Sequence, residues 1–181
     1  MKQIFFYLSI FFFFAACKKT DSLPKVSAET EITQKVNELY KLYGSSEDVY
    51  NKPFSDSLFS PELKKTLENA VNASKADIEK VKQSDHPTDK PLLFEGAVFS
   101  SLYEGYNNYK IKSVAIDPSG DSADASVAFE YTKSSPKFAW TDKVHLIKSG
   151  NEWKIDNVSF DSLGNSKDLR ANLKEFVQGT K

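Results

Sequence analysis

Apolar residues recur at helical spacing in the first part of the chain that carries a regular pattern. They are separated by one, three or four positions, so one face of a helix carries them all. The set comprises Ile32, Val36, Leu39, Tyr40 and Tyr43. Gly44 is typical of the residue that follows a helix. The pattern predicts one amphipathic helix from about residue 28 to residue 44.

A second helix is predicted from Ser60 onwards. Ser60 suits the N-cap, Pro61 the first helical position and Glu62 the first turn, where an acid is favoured. The apolar period continues to about Gln83, but polar residues weaken it in the middle. A single long helix and a helix broken near Ala73 therefore both fit the sequence.

Strand patterns fill the second half of the chain. Apolar and polar residues alternate over 109–116, 125–131 and 138–147, which is typical of half-buried strands. Ser149-Gly150-Asn151 predicts a hairpin turn into a last strand that contains Trp153 and Ile155. The apolar parity then shifts to Val158 and Phe160, which predicts a β-bulge near Asp156 and Asn157.

The order of the elements predicts the fold class. A short helix over 169–177 closes the chain, and short turns join the strands as in an antiparallel meander. We therefore expect an α+β domain over 29–181, in which N-terminal helices cover a curved sheet of about four strands as in a half-open cone or roll. The segment 91–106 is rich in aromatic and small residues, and we expect it to pack over the sheet or line a pocket.

The N-terminal segment indicates location. Lys2 precedes an apolar run from Ile4 to Ala16, the pattern of a signal peptide. The run is too short for a bilayer span, which needs roughly 20 residues. Cys17, the only cysteine, directly follows Ala15-Ala16. This arrangement resembles a bacterial lipobox, with Phe14 where Leu is usual.

The resemblance implies a signal peptide over 1–16 and a lipidated Cys17 at the start of a flexible tether over 17–28. Acyl chains such as palmitate on Cys17 would anchor the protein to a lipid bilayer. Lys18 resembles a signal for the outer membrane of a Gram-negative envelope, facing either the periplasm or the cell surface. An ordinary secreted protein with one stray cysteine is the alternative. Asp21-Ser22-Leu23 also resembles an O-glycosylation sequence of exported bacterial proteins.

The end of the chain suggests a family. Residues 150–158, GNEWKIDNV, followed by Leu169-Arg170 and Leu173, resemble uncharacterised bacterial lipoprotein domains of the nuclear-transport-factor-2-like (cystatin-like) type. Asn157 stands where these domains typically have a second Asp. The resemblance implies the cone-shaped fold but no activity, because proteins with this fold have many functions.

Composition and charge exclude some classes of partner and site. Lys and Arg number 24 and Asp and Glu number 25, without a basic cluster, so nucleic acid is not an expected partner. His86 and His145 are the only histidines. With a single cysteine, they predict neither a metal site nor a cofactor.

Asp142 is the residue that we consider as a catalytic candidate. Its parity places it on the apolar face of its strand, where a carboxylate of raised pKa could act as a general base. The simpler interpretation is a strand end open to water, or a bulge that turns the side chain outward. We expect His145 on the opposite, exposed face, and we expect Asp156 to hold the bulge through hydrogen bonds.

The sequence favours a non-catalytic binding or accessory domain, whose partner is a protein or a small apolar ligand. The alternative is a cone-type hydrolase or isomerase that uses Asp142 as its general base, so the sequence leaves enzymatic activity open. The candidate ligand-binding groove consists of Phe94, Phe99, Tyr103, Tyr106, Phe138 and Trp140.

Overall fold

The computed structural model describes residues 27–44, 48–161 and 167–180. Predictions for the signal peptide, Cys17 and Ser22 lie outside the described residues. The elements are α1 (Ala28–Tyr43), α2 (Asp48–Asn51), α3 (Pro61–Lys82), β1 (Asn108–Ile116), β2 (Ser122–Tyr131), β3 (Phe138–Ser149), β4 (Glu152–Ser159) and α4 (Leu169–Gly179).

The four strands form one antiparallel sheet in the order β1-β2-β3-β4. Helix α1 packs on β1, β2 and β4, while α3 and α4 pack on each other and on β4. The buried faces of sheet and helices form one hydrophobic core. The predicted α+β class, with helices on a four-stranded antiparallel sheet and a short C-terminal helix, is confirmed.

Helix α3 begins as its sequence predicts. Ser60 is the N-cap, and its Oγ accepts a hydrogen bond from the Leu63 N–H at 3.1 Å. The helix then continues without interruption to Lys82, so the alternative of a break near Ala73 is wrong. Its buried residues lie on one side, and packing of that side overrides the weaker period in the middle.

The predicted bulge in β4 is confirmed. His145 pairs with Asn157 and Leu146 pairs with Ile155, so Asp156 is the extra residue. Asp156 Oδ1 accepts from Ser60 Oγ at 2.6 Å, and Oδ2 accepts from Arg170 Nη1 at 2.9 Å. The bulge therefore connects β4 to the start of α3 and to α4, which agrees with the bonding role expected for Asp156.

The segment 92–107 contains neither helix nor strand and lies between α3 and β1. The Leu92 N–H donates to Asp77 Oδ2 on α3 at 2.7 Å, and the Phe94 N–H donates to Ser74 Oγ at 2.6 Å. Residues 96–100 are buried, while Tyr103 and Glu104 are exposed. Residues of this segment line two cavities, so the second of its two expected roles, lining a pocket, is confirmed.

Candidate functional site

Asp142 lies on the core side of β3 and is 0% exposed. The expectation that water or a bulge would expose it is wrong. Its strand pairs regularly with β2 here, with Asp142 opposite Val127, so the side chain keeps the inward direction that its parity assigns. The segment 92–107 and the end of β4 then close over it.

Four donors surround the Asp142 carboxylate. Oδ2 accepts from the Ser101 N–H at 2.9 Å and from Trp140 Nε1 at 3.2 Å. Oδ1 accepts from the Asp161 N–H at 3.0 Å and from the Ser101 hydroxyl. A carboxylate has about four acceptor positions, so these four donors fill them all.

Burial raises the pKa of Asp142, while the bonds from Ser101, Asp161 and Trp140 oppose that rise. A raised pKa suits a general base, but a base must also reach a substrate proton. The described donors are backbone amides, a hydroxyl and an indole, without the tyrosine or histidine partner that would favour catalysis. Asp142 also lines neither of the cavities described below.

A cleft of about 640 Å³ lies between the end of α1, helix α2 and the segment 92–107. We call it the tyrosine cleft, because three tyrosines contribute to its wall. Its described lining residues are Gly44, Tyr50, Asn51, Glu95, Gly96, Ala97, Tyr103, Glu104, Gly105 and Tyr106. Its volume lies within the range that is usual for small-molecule sites.

Two glycines make room for the tyrosines. A Cβ on Gly44 would lie 2.4 Å from the Tyr106 hydroxyl oxygen. Gly96 has φ +89°, and a Cβ there would lie 2.5 Å from Tyr103 Cδ2. At Gly96 any other residue would therefore push against the Tyr103 ring and also strain the backbone, whereas at Gly44 the obstacle is steric. The absence of a side chain at these two positions therefore lets the backbone approach both tyrosines closely.

Two carboxylates lie near the Tyr103 side chain in this cleft. The pKa of Tyr103 is raised by its hydrogen bond with Glu95, by partial burial, and by the charges of Glu95 and Glu104. Tyr103 is 58% exposed. Lys90 Nζ lies 3.5 Å from Glu95 Oε1, but the lysine side chain is mostly in solvent. The mouth of the cleft therefore combines an exposed aromatic ring with negative charge.

A smaller cavity of about 180 Å³ adjoins this cleft. We call it the inner pocket. Its described lining residues are Phe94, Glu95, Ala97, Val98, Ser100, Ser101, Tyr103, Phe160, Leu169 and Asn172. Ser100 Oγ and Asn172 Oδ1 are buried and have no hydrogen-bond partner within the described part of the chain. Glu95, Ala97 and Tyr103 line both cavities.

The six aromatic residues predicted to form one groove are distributed over the domain. Phe99 and Trp140 are buried in the core. Tyr103 and Tyr106 share the tyrosine cleft, and Phe94 lines the inner pocket. Phe138 is 40% exposed at the start of β3. The structure thus brings Phe94, Tyr103 and Tyr106 to adjoining cavities and separates the other three from them.

His145 lies on the opposite side of β3 from Asp142, as its parity predicts. Its Nδ1 lies 2.8 Å from Asp124 Oδ1, a partner that the sequence analysis did not propose. Asp124 is directly opposite His145 in the β2–β3 pairing, so the strand register was the missing signal. His86 lies in an exposed loop. Within the described residues, no group of three or more His, Cys, Asp or Glu side chains could hold a metal ion.

Comparison with known proteins finds similarity among solved structures. No protein-family model matches the chain, and no curated protein matches it. Among solved structures, the chain is similar to one described as a de novo designed NTF2 fold protein, at 15% identity and a TM-score of 0.42. The match covers 85% of this chain and 95% of the designed chain. None of the described helices is long and apolar enough to span a bilayer.

Proposed function

We propose that this protein is an envelope lipoprotein whose domain binds a small ligand in the tyrosine cleft. The observation that carries the binding role is the cleft itself, about 640 Å³ in volume, with the exposed Tyr103 at its mouth. The volume of the cleft is in the usual range for small-molecule sites, and its wall combines aromatic rings with polar and charged groups that can orient a ligand. The carboxylates of Glu95 and Glu104 favour a polar ligand over the apolar one expected from the sequence.

A pull-down tests the binding role. The tagged full-length protein, solubilised in detergent from its own cells, would be analysed by mass spectrometry of the small-molecule fraction. We expect Tyr103→Ala to lose the co-purified compound. Phe138→Ala is the matched control, because it removes another exposed aromatic ring outside the cleft. Equal retention of the compound by wild type and Tyr103→Ala would contradict the proposed site.

The proposed anchor rests on the sequence around Cys17. The apolar run, the small residues Ala15-Ala16 and the single cysteine of the chain coincide at the point where a lipobox requires them. Several acyl chains on one residue give stable attachment, whereas a single chain gives reversible attachment. Lys18 favours the outer membrane of a Gram-negative envelope as the destination.

Labelling with radioactive palmitate tests the anchor. Wild-type protein should carry the label and sediment with outer membranes, whereas Cys17→Ala should lose the label and appear in the soluble fraction. Phe14→Leu is the control, because it restores the residue usual at that lipobox position and should label normally. An unlabelled wild-type protein would rule out the anchor without affecting the cleft.

Catalysis by Asp142, as in a hydrolase or isomerase of similar shape, has one supporting observation. Burial raises the pKa of Asp142, which is the direction that suits a general base. However, four protein donors already occupy the carboxylate. The geometry therefore favours a structural role for Asp142 and a binding role for the protein.

A further inference from the structure

The two edge strands of the sheet have different surroundings. Along β4, the Ser60 N–H donates to the Ile155 carbonyl at 2.8 Å, and the Ile155 N–H donates to the Leu58 carbonyl at 2.8 Å. A further bridge joins Ser159 to Asp168. At the other edge lies β1, whose backbone pairs only with β2 within the described residues. One side of this nine-residue strand therefore presents free N–H and C=O groups, and we call it the free edge.

The core-side face of β1 is only partly covered. Tyr109, Ile111 and Val114 are half-buried on this face, and Ile116 is 40% exposed. Val127, the β2 partner of Ile111, is 0% exposed. The coverage of apolar side chains thus falls off towards the free edge. An added strand with apolar residues on this face would cover them, because side chains opposite each other on neighbouring strands are in contact.

The other face of β1 carries positive charge. Lys110 and Lys112 line a groove of about 580 Å³ on the sheet, which also contains Glu130 and Asp161. The lysines lie on the edge strand itself, which has no acidic residue. Neither lysine has an ion-pair partner within the part of the chain that the structure describes. A segment placed along the free edge would therefore lie beside two uncompensated positive charges.

These charges restrict what can pair with the free edge. Lysines and β-bulges on an edge strand oppose unselective pairing, and β1 has both, since its pairing with β2 slips between Ile111 and Ser113. An antiparallel pair of β1 strands from two copies, centred near Lys112, would bring like charges together. The N-terminal segment 17–28 carries three lysines and one aspartate, so its charge does not match either. An acidic segment would instead make attractive contacts with the same lysines.

We propose that the free edge of β1 binds an extended segment of a partner protein in which acidic and apolar residues alternate. Its backbone would add a strand to the sheet. Its apolar side chains would cover Ile111 and Ile116, and its carboxylates would pair with Lys110 and Lys112. Alternation serves both faces, because successive side chains of a strand point to opposite sides. In this mode of binding, backbone hydrogen bonds give affinity and alternate side chains give selectivity.

Two synthetic peptides of about the length of β1 form a matched pair of probes. One alternates glutamate with valine, and the other alternates lysine with valine. Fluorescence anisotropy with the full-length protein in detergent at pH 7 would measure both affinities. We expect the acidic peptide to bind about tenfold more tightly, the scale of two exposed ion pairs. Equal affinities would overturn the proposal, as would the absence of acidic-peptide binding up to about 1 mM.

Hydrogen–deuterium exchange with mass spectrometry would locate the bound peptide. The acidic peptide should slow amide exchange in residues 108–116 by about threefold or more, because free N–H groups of β1 become hydrogen-bonded. Binding without slower exchange there would place the peptide elsewhere and overturn the proposal. Exchange in β1 that slows with rising protein concentration, without any peptide, would mean that a second copy occupies the edge and that the partner assignment is wrong.

A charge-reversal variant tests the role of the lysines. The double variant Lys110→Glu, Lys112→Glu should reverse the preference, so that the basic peptide binds more tightly. Lys133→Glu, Lys137→Glu is the matched control, because it makes the same change of charge in the turn between β2 and β3 and should keep the wild-type preference. All four side chains are exposed, so both variants should fold. A wild-type preference in the β1 variant, or the same change in both variants, would overturn the charge assignment.

Discussion

Asp142 and Glu104 are two carboxylates in neighbouring parts of the molecule with opposite surroundings. Asp142 is fully buried and accepts from four protein donors. Glu104 is exposed on the rim of the tyrosine cleft, beside Tyr103. Protein donors occupy all acceptor positions of Asp142, whereas Glu104 lines a cavity that a ligand can enter.

The difference shows how burial alone can mislead. A buried acid with a raised pKa is commonly taken as a mark of a functional site. At Asp142, however, the donors come from three separate segments and hold them together: Ser101 before β1, Trp140 on β3 and Asp161 after β4. Whether a polar group still has unused bonding capacity is therefore a better guide to function here than its pKa.

Asp142→Asn should give the largest change in stability. The amide keeps the size of the side chain but presents its own NH₂ donor to a group of donors, so at least one bond becomes a repulsive contact. Hydrogen bonds to a charged group contribute about 1.5–3 kcal/mol each, so we expect a loss of about 3 kcal/mol. Urea unfolding of the detergent-solubilised protein at pH 7 measures this free energy. A loss below about 1 kcal/mol would show that the network does not hold the fold.

The same variant also tests how protonation of Asp142 changes the stability of the fold. Burial raises the pKa of Asp142 in the folded state above its ordinary value of 3.8. This proton linkage therefore stabilises the fold fully below pH 3.8 and is lost as the pH rises through the folded-state pKa. The stability difference between wild type and Asp142→Asn should accordingly be larger near pH 3 than near pH 7. The opposite trend would mean that Asp142 favours its charged form in the fold.

Much of the fold could be predicted from local pattern. The five apolar positions of α1, the Ser60 cap and the shift of parity at Asp156 each depend on residues a few positions apart. Such spacing reflects helix and strand geometry directly. The inward direction of Asp142 also followed from alternation along β3.

The rest depends on contacts between distant segments. The burial of Asp142 requires Ser101, 41 positions earlier, and Asp161, 19 positions later. The tyrosine cleft lies against a segment without periodicity, where positive φ at Gly96 and Gly105 sets the path of the chain. Neither feature has a local signature, so the sequence analysis grouped six aromatic residues of which the fold brings only Phe94, Tyr103 and Tyr106 to adjoining cavities.

Ser60→Ala should give an intermediate loss of stability, because the Asp156 carboxylate loses one of its two side-chain donors and keeps the other. The change removes the α3 N-cap and the donor to Asp156 Oδ1, while Arg170 still holds Oδ2. We expect a loss of about 1–2 kcal/mol in urea unfolding. Ser27→Ala, at the exposed cap of α1, is the control and should cost less. Equal losses would mean that the bond to Asp156 contributes nothing.

Gly96→Ala tests the shape of the cleft. Its φ of +89° makes a side chain unfavourable, and the new Cβ would press on the Tyr103 ring. We expect a stability loss of about 1 kcal/mol and weaker ligand binding. Gly120→Ala is the matched control, because φ is +76° there and a Cβ meets nothing within 4 Å. If both variants bind the co-purified compound equally well, the position of Tyr103 does not matter for binding.

Glu104→Gln should give the smallest change in stability and thereby completes the comparison with Asp142. It is the same replacement of a carboxylate by an amide, but the side chain is exposed and no described ion pair depends on it. Surface changes of this kind stay within about 0.5 kcal/mol in urea unfolding. Ligand retention in the pull-down should nevertheless fall. A loss of stability comparable to that of Asp142→Asn would mean that both carboxylates serve the fold and that their contrast does not mark a site.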